Sequence, residues 1–234
     1  MQSMTVPADD GVPLHVGMTG TGPAVVVLSG GPGCVHYLED DALAPRGARA
    51  FYPEPRGVGR SGGGPHDLRR AVDDLEAVRK INNIQRWVVL GHSWGSDLGI
   101  RYALDRPDHV QAVVGVAGHG LHKDRTWSQV YEAAKHTEAD IVIDWSPDVH
   151  ASLNESFSQW IHEKSLLRRL ADTTIPMHLI AADEDIRPSW PLEQLAALVP
   201  DGRFSRVPGV PHNFWATHPR TWVEVVSEAC SDYA

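Results

Sequence analysis

The stretch VVLGHSWGSDLG, residues 88–99, places one serine between two glycines at the end of an apolar run. Val88, Val89 and Leu90 read as the end of a buried strand. Ser96 to Asp105 reads as a helix, with Leu98, Ile100, Tyr102 and Leu104 among its apolar residues. A strand that passes sharply into a helix forces the residue at the turn into a strained backbone conformation. A side chain at Gly91 or Gly95 would then strike neighbouring backbone, so glycine suits both positions. The expectation is a Ser93 hydroxyl raised at the rim of a sheet. Such a hydroxyl needs a base, an orienting acid and an oxyanion site from elsewhere in the chain.

Strand and helix patterns alternate on both sides of this stretch. PLHVGMTG, AVVVLSG and ARAFYPEP read as strands before it; VQAVVGVAG, MHLIAA and GRFSRVP read as strands after it. Ala71, Leu75, Val78 and Ile81 recur at helical spacing in DLRRAVDDLEAVRKI, and PLEQLAALV and RTWVEVVSEAC are further helices. This alternation predicts an α/β fold, a mostly parallel central sheet with helices on both faces. Ligands in such folds bind beyond the carboxyl ends of the strands. One interval breaks the rhythm. Residues 119–165 hold no convincing buried strand, while WSQVYEAAKH and LNESFSQWIHEKSLLRRL look helical. The expectation is a core of residues 1–118 and 166–234, with 119–165 inserted as a small helical cap.

Composition narrows the partners. The 234 residues suffice for one domain with a large core, and the formal charge of −9 disfavours nucleic acid or an anionic membrane. No apolar run approaches the length of a membrane span, and MQSMTVPADDGVPLH lacks the positive and apolar regions of a secretory signal. Cys34 and Cys230 form no metal or disulfide pattern. The expected setting is the cytoplasm, and the expected partner a small molecule or short peptide. Oligomeric state is not legible.

The catalytic partners are expected downstream of Ser93, just after strands, in the order acid then histidine. LIAADEDIRP supplies Asp183, Glu184 and Asp185 past the strand ending at Ala182, and VPGVPHNFW supplies His212 in a Pro- and Gly-rich loop. The oxyanion site needs two backbone N–H donors. One is expected from Trp94, after the nucleophile. The other is expected from Gly31 in LSGGPG, since Pro32 has no N–H to give.

GGPG after a strand, EPRGVGRSGG, GHSWGS, DEDIRP and VPGVPHNFW together resemble the α/β-hydrolase superfamily. The pairing of GGPG with a serine–tryptophan elbow is most similar to the proline iminopeptidase group. The resemblance covers the chain outside the cap interval and implies Ser93 as nucleophile, His212 as base and Asp185 as acid, with Asp183 the competitor. It implies a serine hydrolase acting through an acyl-enzyme without metal or cofactor. A proline-iminopeptidase-like aminopeptidase comes first; a carboxylesterase or lactonase acting on a small apolar ester comes next, and a hydrolase-like binding protein after that. An acid limb of activity near neutral pH is expected as the base protonates. Two departures stand out. Ser29 occupies the place where the oxyanion loop usually begins with histidine. In addition, none of Glu132, Glu138, Asp140, Asp144, Glu155 and Glu163 matches the cap carboxylates that hold a substrate's amino group in that group.

Other features have blander readings. Gly57, Gly59 and Gly62 satisfy G-x-G-x-x-G, with Asp73, Asp74 and Glu76 downstream, but the helix starts only near Asp67, too late to cradle a pyrophosphate. Arg56 and Arg60 are expected to brace that loop. His119 and His122 lack a carboxylate or HExxH partner and read as surface histidines. The pairs Asp9–Asp10, Asp40–Asp41 and Asp73–Asp74 read as solvated faces or helix starts. Cys34 reads as structural, and Trp127, Trp145 and Trp160 fit either core or substrate wall. Epoxide-hydrolase and dehalogenase chemistry fits poorly, since those members carry aspartate where this chain has Ser93.

Overall fold

A computed structural model of the chain describes residues 1–121, 124–138 and 141–233. Eight strands form one sheet in the order β1-β2-β4-β3-β5-β6-β7-β8. They are β1 (Gln2–Pro7), β2 (Pro13–Thr19), β3 (Ala24–Leu28), β4 (Arg49–Pro53), β5 (Trp87–His92), β6 (Val110–Val116), β7 (Met177–Ala182) and β8 (Gly202–Val207). From β4 through β8 every neighbouring pair is parallel, whereas β1–β2 and β2–β4 are antiparallel. The fold is the mostly parallel α/β sheet that the alternation predicts. β1 was not expected. It is an edge strand with only Val6 buried, so its sequence carries little apolar periodicity.

The pleat sends alternate residues to opposite faces, and each face has its own core. Val26, Leu28, Val89, Val113 and Leu179 face α1 (Leu68–Ile81), α2 (Trp94–Asp105) and α6 (Trp190–Leu198). Val25, Val27, Val88, Leu90, Val114 and Ile180 face α8 (Pro219–Ser231), whose Trp222 and Val226 are buried. Asp67 caps α1 by accepting from the Arg70 amide, so that helix starts where the sequence placed it.

The interval 119–165 contributes no strand to the sheet among its described residues. It holds α3 (Arg125–Ala134), a 3-10 turn (Lys135–Thr137) and α4 (Pro147–Ile161), with α5 (Leu166–Asp172) following. The helix read across residues 153–170 is therefore two helices. The turn between them lets Trp160 on α4 and Leu166 on α5 both reach the core shared with α1 and α2. Trp127 and Phe157 are buried as well, while Trp145 is exposed. The short α7 (Phe214–Thr217) was not read from the sequence.

Candidate active site

Ser93 is the single residue between β5 and α2. Its backbone sits at φ 56°, ψ −127°, a left-handed conformation that costs a non-glycine residue about 1–3 kcal/mol. Neighbouring contacts hold it there. A Cβ at Gly91 would collide with the Gly95 carbonyl, and one at Gly95 with the Leu28 and Ser29 carbonyls. The Ser93 amide donates to the Val116 carbonyl at 2.8 Å, which ties the elbow to the end of β6.

Two loops bring partners to this hydroxyl. His212, after β8, places Nε2 3.1 Å from Ser93 Oγ and Nδ1 2.6 Å from Asp185 Oδ2, on the loop after β7. With Nδ1–H donating to the carboxylate, Nε2 is left to accept the serine proton. The other oxygen, Asp185 Oδ1, accepts from the Arg187 amide at 2.9 Å and from its Nη1 at 3.1 Å. Burial alone would raise the Asp185 carboxyl, but the His212 imidazole and the Arg187 guanidinium offset it and hold the pKa down at about 2. Asp185 thus stays charged behind the imidazole. Asp183 is half exposed and lies 4.0 Å from Arg206, outside the relay.

The two positions expected to supply oxyanion donors, Gly31 and Trp94, flank the same serine. Trp94 opens α2, and a helix leaves its first amides without intrahelical partners. Gly30 packs against the Ser93 side chain, and Gly31 follows it at φ 128°, a conformation side chains rarely tolerate. With Ser29 in place of the usual histidine, Tyr37 braces the loop instead. Gly30 N–H donates to the Tyr37 hydroxyl at 2.6 Å, and that hydroxyl donates to His92 Nδ1 at 2.6 Å. His92 Nε2–H in turn donates to the His212 carbonyl at 3.0 Å. Burial, reinforced by His212, lowers the His92 pKa to about 3, so the ring is neutral and the chain of donors runs in one direction. The sequence signals neither Tyr37 nor the role of His92.

A cavity of about 230 Å³ opens beside the base, lined by Glu138, Ile141, Glu184, Ile186, Pro211 and His212 among others. A roomier one of about 460 Å³, between Leu121, Ile161, Leu166, Leu170, Pro191 and Leu195, contains none of the relay residues. Chemistry, rather than size, singles out the smaller cavity.

Two expectations need correction. His119 is not a surface histidine: it is 9% exposed, and its Nδ1 lies 2.8 Å from Asp97 Oδ2, with Asp97 fully buried in the first turn of α2. The flanking glycines pack closely, Gly118 against Ser96 and Gly120, at φ 74°, against Pro191 and Leu192. His122 and Asp140 lie outside the described residues. Asp74 is also buried, beneath Arg56, so the Asp73–Asp74 pair is not simply a solvated face. Arg56 and Arg60 do brace the Gly-rich loop. Arg56 bonds Asp74, Asp10 and the Gly64 carbonyl, and Arg60 bonds Glu54 and Glu39. This leaves the dinucleotide reading without free guanidinium donors or a helix opening at Gly62. Burial raises the half-buried Cys34 thiol, which keeps it protonated.

A family profile described as the alpha/beta hydrolase fold matches residues 23–147, more than half of the chain. The chain belongs to the alpha/beta hydrolase family. Among curated proteins, this chain is 37% identical over 102 residues to a proline iminopeptidase of Heyndrickxia coagulans, covering 41% of the chain and 35% of that protein. It is 30% identical over 125 residues to epoxide hydrolase 2 of Siraitia grosvenorii, covering 51% of the chain and 40% of that protein. The matched segment thus spans well under half the length of these curated relatives. Among solved structures, the proline iminopeptidase of Mycobacterium smegmatis superposes with a TM-score of 0.72 at 21% identity, covering 99% of this chain and 98% of that one. An esterase from Exiguobacterium antarcticum gives 0.77 at 17%, covering 98% and 100%. At these identities the two structures attest the fold alone. No helix among the described residues is long and apolar enough to cross a membrane.

Proposed function

We propose that this hydrolase is a serine hydrolase that cleaves a small ester or amide through an acyl-enzyme on Ser93. The observation that carries the reading is the continuous relay Ser93 Oγ, His212, Asp185, with links of 3.1 and 2.6 Å, at a strained elbow. His212 takes the hydroxyl proton as Ser93 attacks the carbonyl, and Asp185 holds the imidazole in the required tautomer. The Gly31 and Trp94 amides receive the developing oxyanion, and losing one such donor costs on the order of 3 kcal/mol of transition-state stabilisation. His212 then passes its proton to the leaving group and activates water to release the acyl chain. The mechanism calls for no cofactor. The segment 119–165 acts as the cap, its Glu138 and Ile141 walling the cavity beside the base.

On the substrate side, the geometry favours a small ester, as for a carboxylesterase or lactonase. Among the described cap acids, Glu138 lines the cavity beside His212, and both its oxygens are held by Arg187 at 2.6 and 3.1 Å. A substrate amino group would have to displace that pair. The aminopeptidase reading comes second, and Glu184 supports it: this exposed carboxylate lines the same cavity and has no ion pair among the described residues. Epoxide opening is disfavoured by the serine at the elbow. A fluorophosphonate probe is expected to label Ser93, and short p-nitrophenyl esters to turn over faster than prolyl naphthylamide. A folded protein that resists the probe would remove the reading. A strict requirement for a free amino group would restore the peptidase to first place.

A further inference from the structure

We propose that Arg187 is a positioning residue that fastens the cap to the triad's acid, so that the charge of Glu138 tunes the grip of Asp185 on His212. The proposal rests on the serine-hydrolase reading for its functional meaning, although its geometry stands apart from it. Arg187 lies two residues past Asp185, and a contact between them could be a local turn. Its other partner is far away in sequence. Nη1 and Nη2 reach Glu138 Oε1 and Oε2 at 2.6 and 3.1 Å, a two-pronged pairing between residues 49 positions apart. The same Nη1 reaches Asp185 Oδ1, the oxygen that His212 leaves free. The Tyr131 ring of α3 lies 5.1 Å from the guanidinium carbon, so the cap contributes an aromatic face as well as a carboxylate.

This is more than a surface ion pair. The side chains of Arg187, Glu138 and Asp185 are 14%, 23% and 7% exposed, where screening by water is reduced. The charges alternate in a row: Glu138 negative, Arg187 positive, Asp185 negative, then the imidazole. Arg187 draws on the same carboxylate that stabilises a protonated His212, and Glu138 partly neutralises Arg187. The signs follow from Coulomb's law. Without the negative charge of Glu138, Arg187 bears harder on Asp185 and the imidazolium becomes less favoured. Without the positive charge of Arg187, the imidazolium becomes more favoured. Among the described residues, the other titratable groups near this site are His92, which stays neutral, the buried Tyr37 hydroxyl, which burial keeps protonated, and Glu184 on the cavity wall. None changes between the variants.

The test is a histidine-ring NMR titration of the full chain, run beside pH profiles of kcat/KM on a p-nitrophenyl ester. In Glu138→Gln, which keeps the shape of the side chain, the His212 ring and the acid limb move to lower pH by ~0.5 unit. In Arg187→Met both move to higher pH by a similar amount, and kcat falls ~10-fold with KM little changed. A brace serving only stability would shift neither limb, or both in one direction, and that outcome overturns the proposal. If Arg187→Met does not fold, Glu138→Gln decides alone through the direction of its shift. NMR shifts of the expected signs in a protein with no Ser93-dependent turnover would sustain the coupling while removing the serine-hydrolase reading.

Discussion

Two histidine–aspartate pairs stand at the carboxyl rim of this sheet, and they are close to equals in geometry. His212 meets Asp185 at 2.6 Å on the loops after β8 and β7; His119 meets Asp97 at 2.8 Å, joining the loop after β6 to the first turn of α2. Both imidazoles and both carboxylates are buried. The difference lies in front of the ring. His212 turns Nε2 to a serine hydroxyl held at a strained elbow, whereas the His119 ring meets the edge of Trp127 on α3, 5.8 Å between centroids. In the proposed mechanism, it is the serine hydroxyl at the far nitrogen that makes the carboxylate-oriented imidazole of His212 a base.

The comparison can be broken at its decisive atom. Ser93→Ala is expected to lower kcat ~10⁵- to 10⁶-fold on an ester substrate, with the fold retained by circular dichroism. It is sharpened by treating the two acids alike. Asp185→Asn is expected to lower kcat ~10⁴-fold by favouring the wrong imidazole tautomer. Asp97→Asn is expected to change kcat less than ~10-fold but to cost about 1–3 kcal/mol in urea unfolding, because a buried hydrogen-bonded charge is lost. Equal kinetic losses in the two variants would make the pairs functionally equivalent and end the distinction.

Tyr37→Phe probes what holds the reactive pair in register. Removing the hydroxyl leaves the Gly30 amide and His92 Nδ1 without a partner, which is expected to lower kcat ~10-fold at nearly constant KM. A KM effect with kcat intact would place Tyr37 in substrate binding instead.

Stability at low pH carries a separate effect, on folding rather than on rate. His92 has its pKa lowered to about 3 by burial and by His212, so the unfolded chain binds a proton between pH 6.5 and 3 that the native state refuses. Stability is therefore lost as pH falls through that window, by about 1.4 kcal/mol per pH unit for this one group. Asp185 acts in the next window down. Its pKa is depressed to about 2, so its contribution is present above the ordinary value of 3.8 and fades as pH falls toward 2. Urea melts of His92→Gln are expected to show a flatter dependence on pH between 6 and 3 than the parent.

Much of this was legible in the chain. Ser93, Asp185 and His212 each sit just past a strand, in a fixed order, and strand ends are marked by short-range signals: an apolar run followed by glycine, proline or acid. The elbow glycines were legible for the same reason, because their constraint comes from backbone a few residues away. The edge strand β1 and the split between α4 and α5 were not, since each answers to burial against a distant surface. The burial of His119 and Asp74 was missed for the same cause. Their partners, Asp97 and Arg56, lie 22 and 18 positions away.

By itself, the order of residues determined the alternating sheet, the strained serine and the two side chains, Asp185 and His212, that follow later strands. Only the packed structure decided that Tyr37 bridges to His92 across 55 positions, that Glu138 grips Arg187 across 49, and that His212 meets the Ser93 hydroxyl across 119. Backbone conformation is governed by near neighbours. Side-chain partnership is settled when distant elements exclude water together, and no local pattern encodes that encounter.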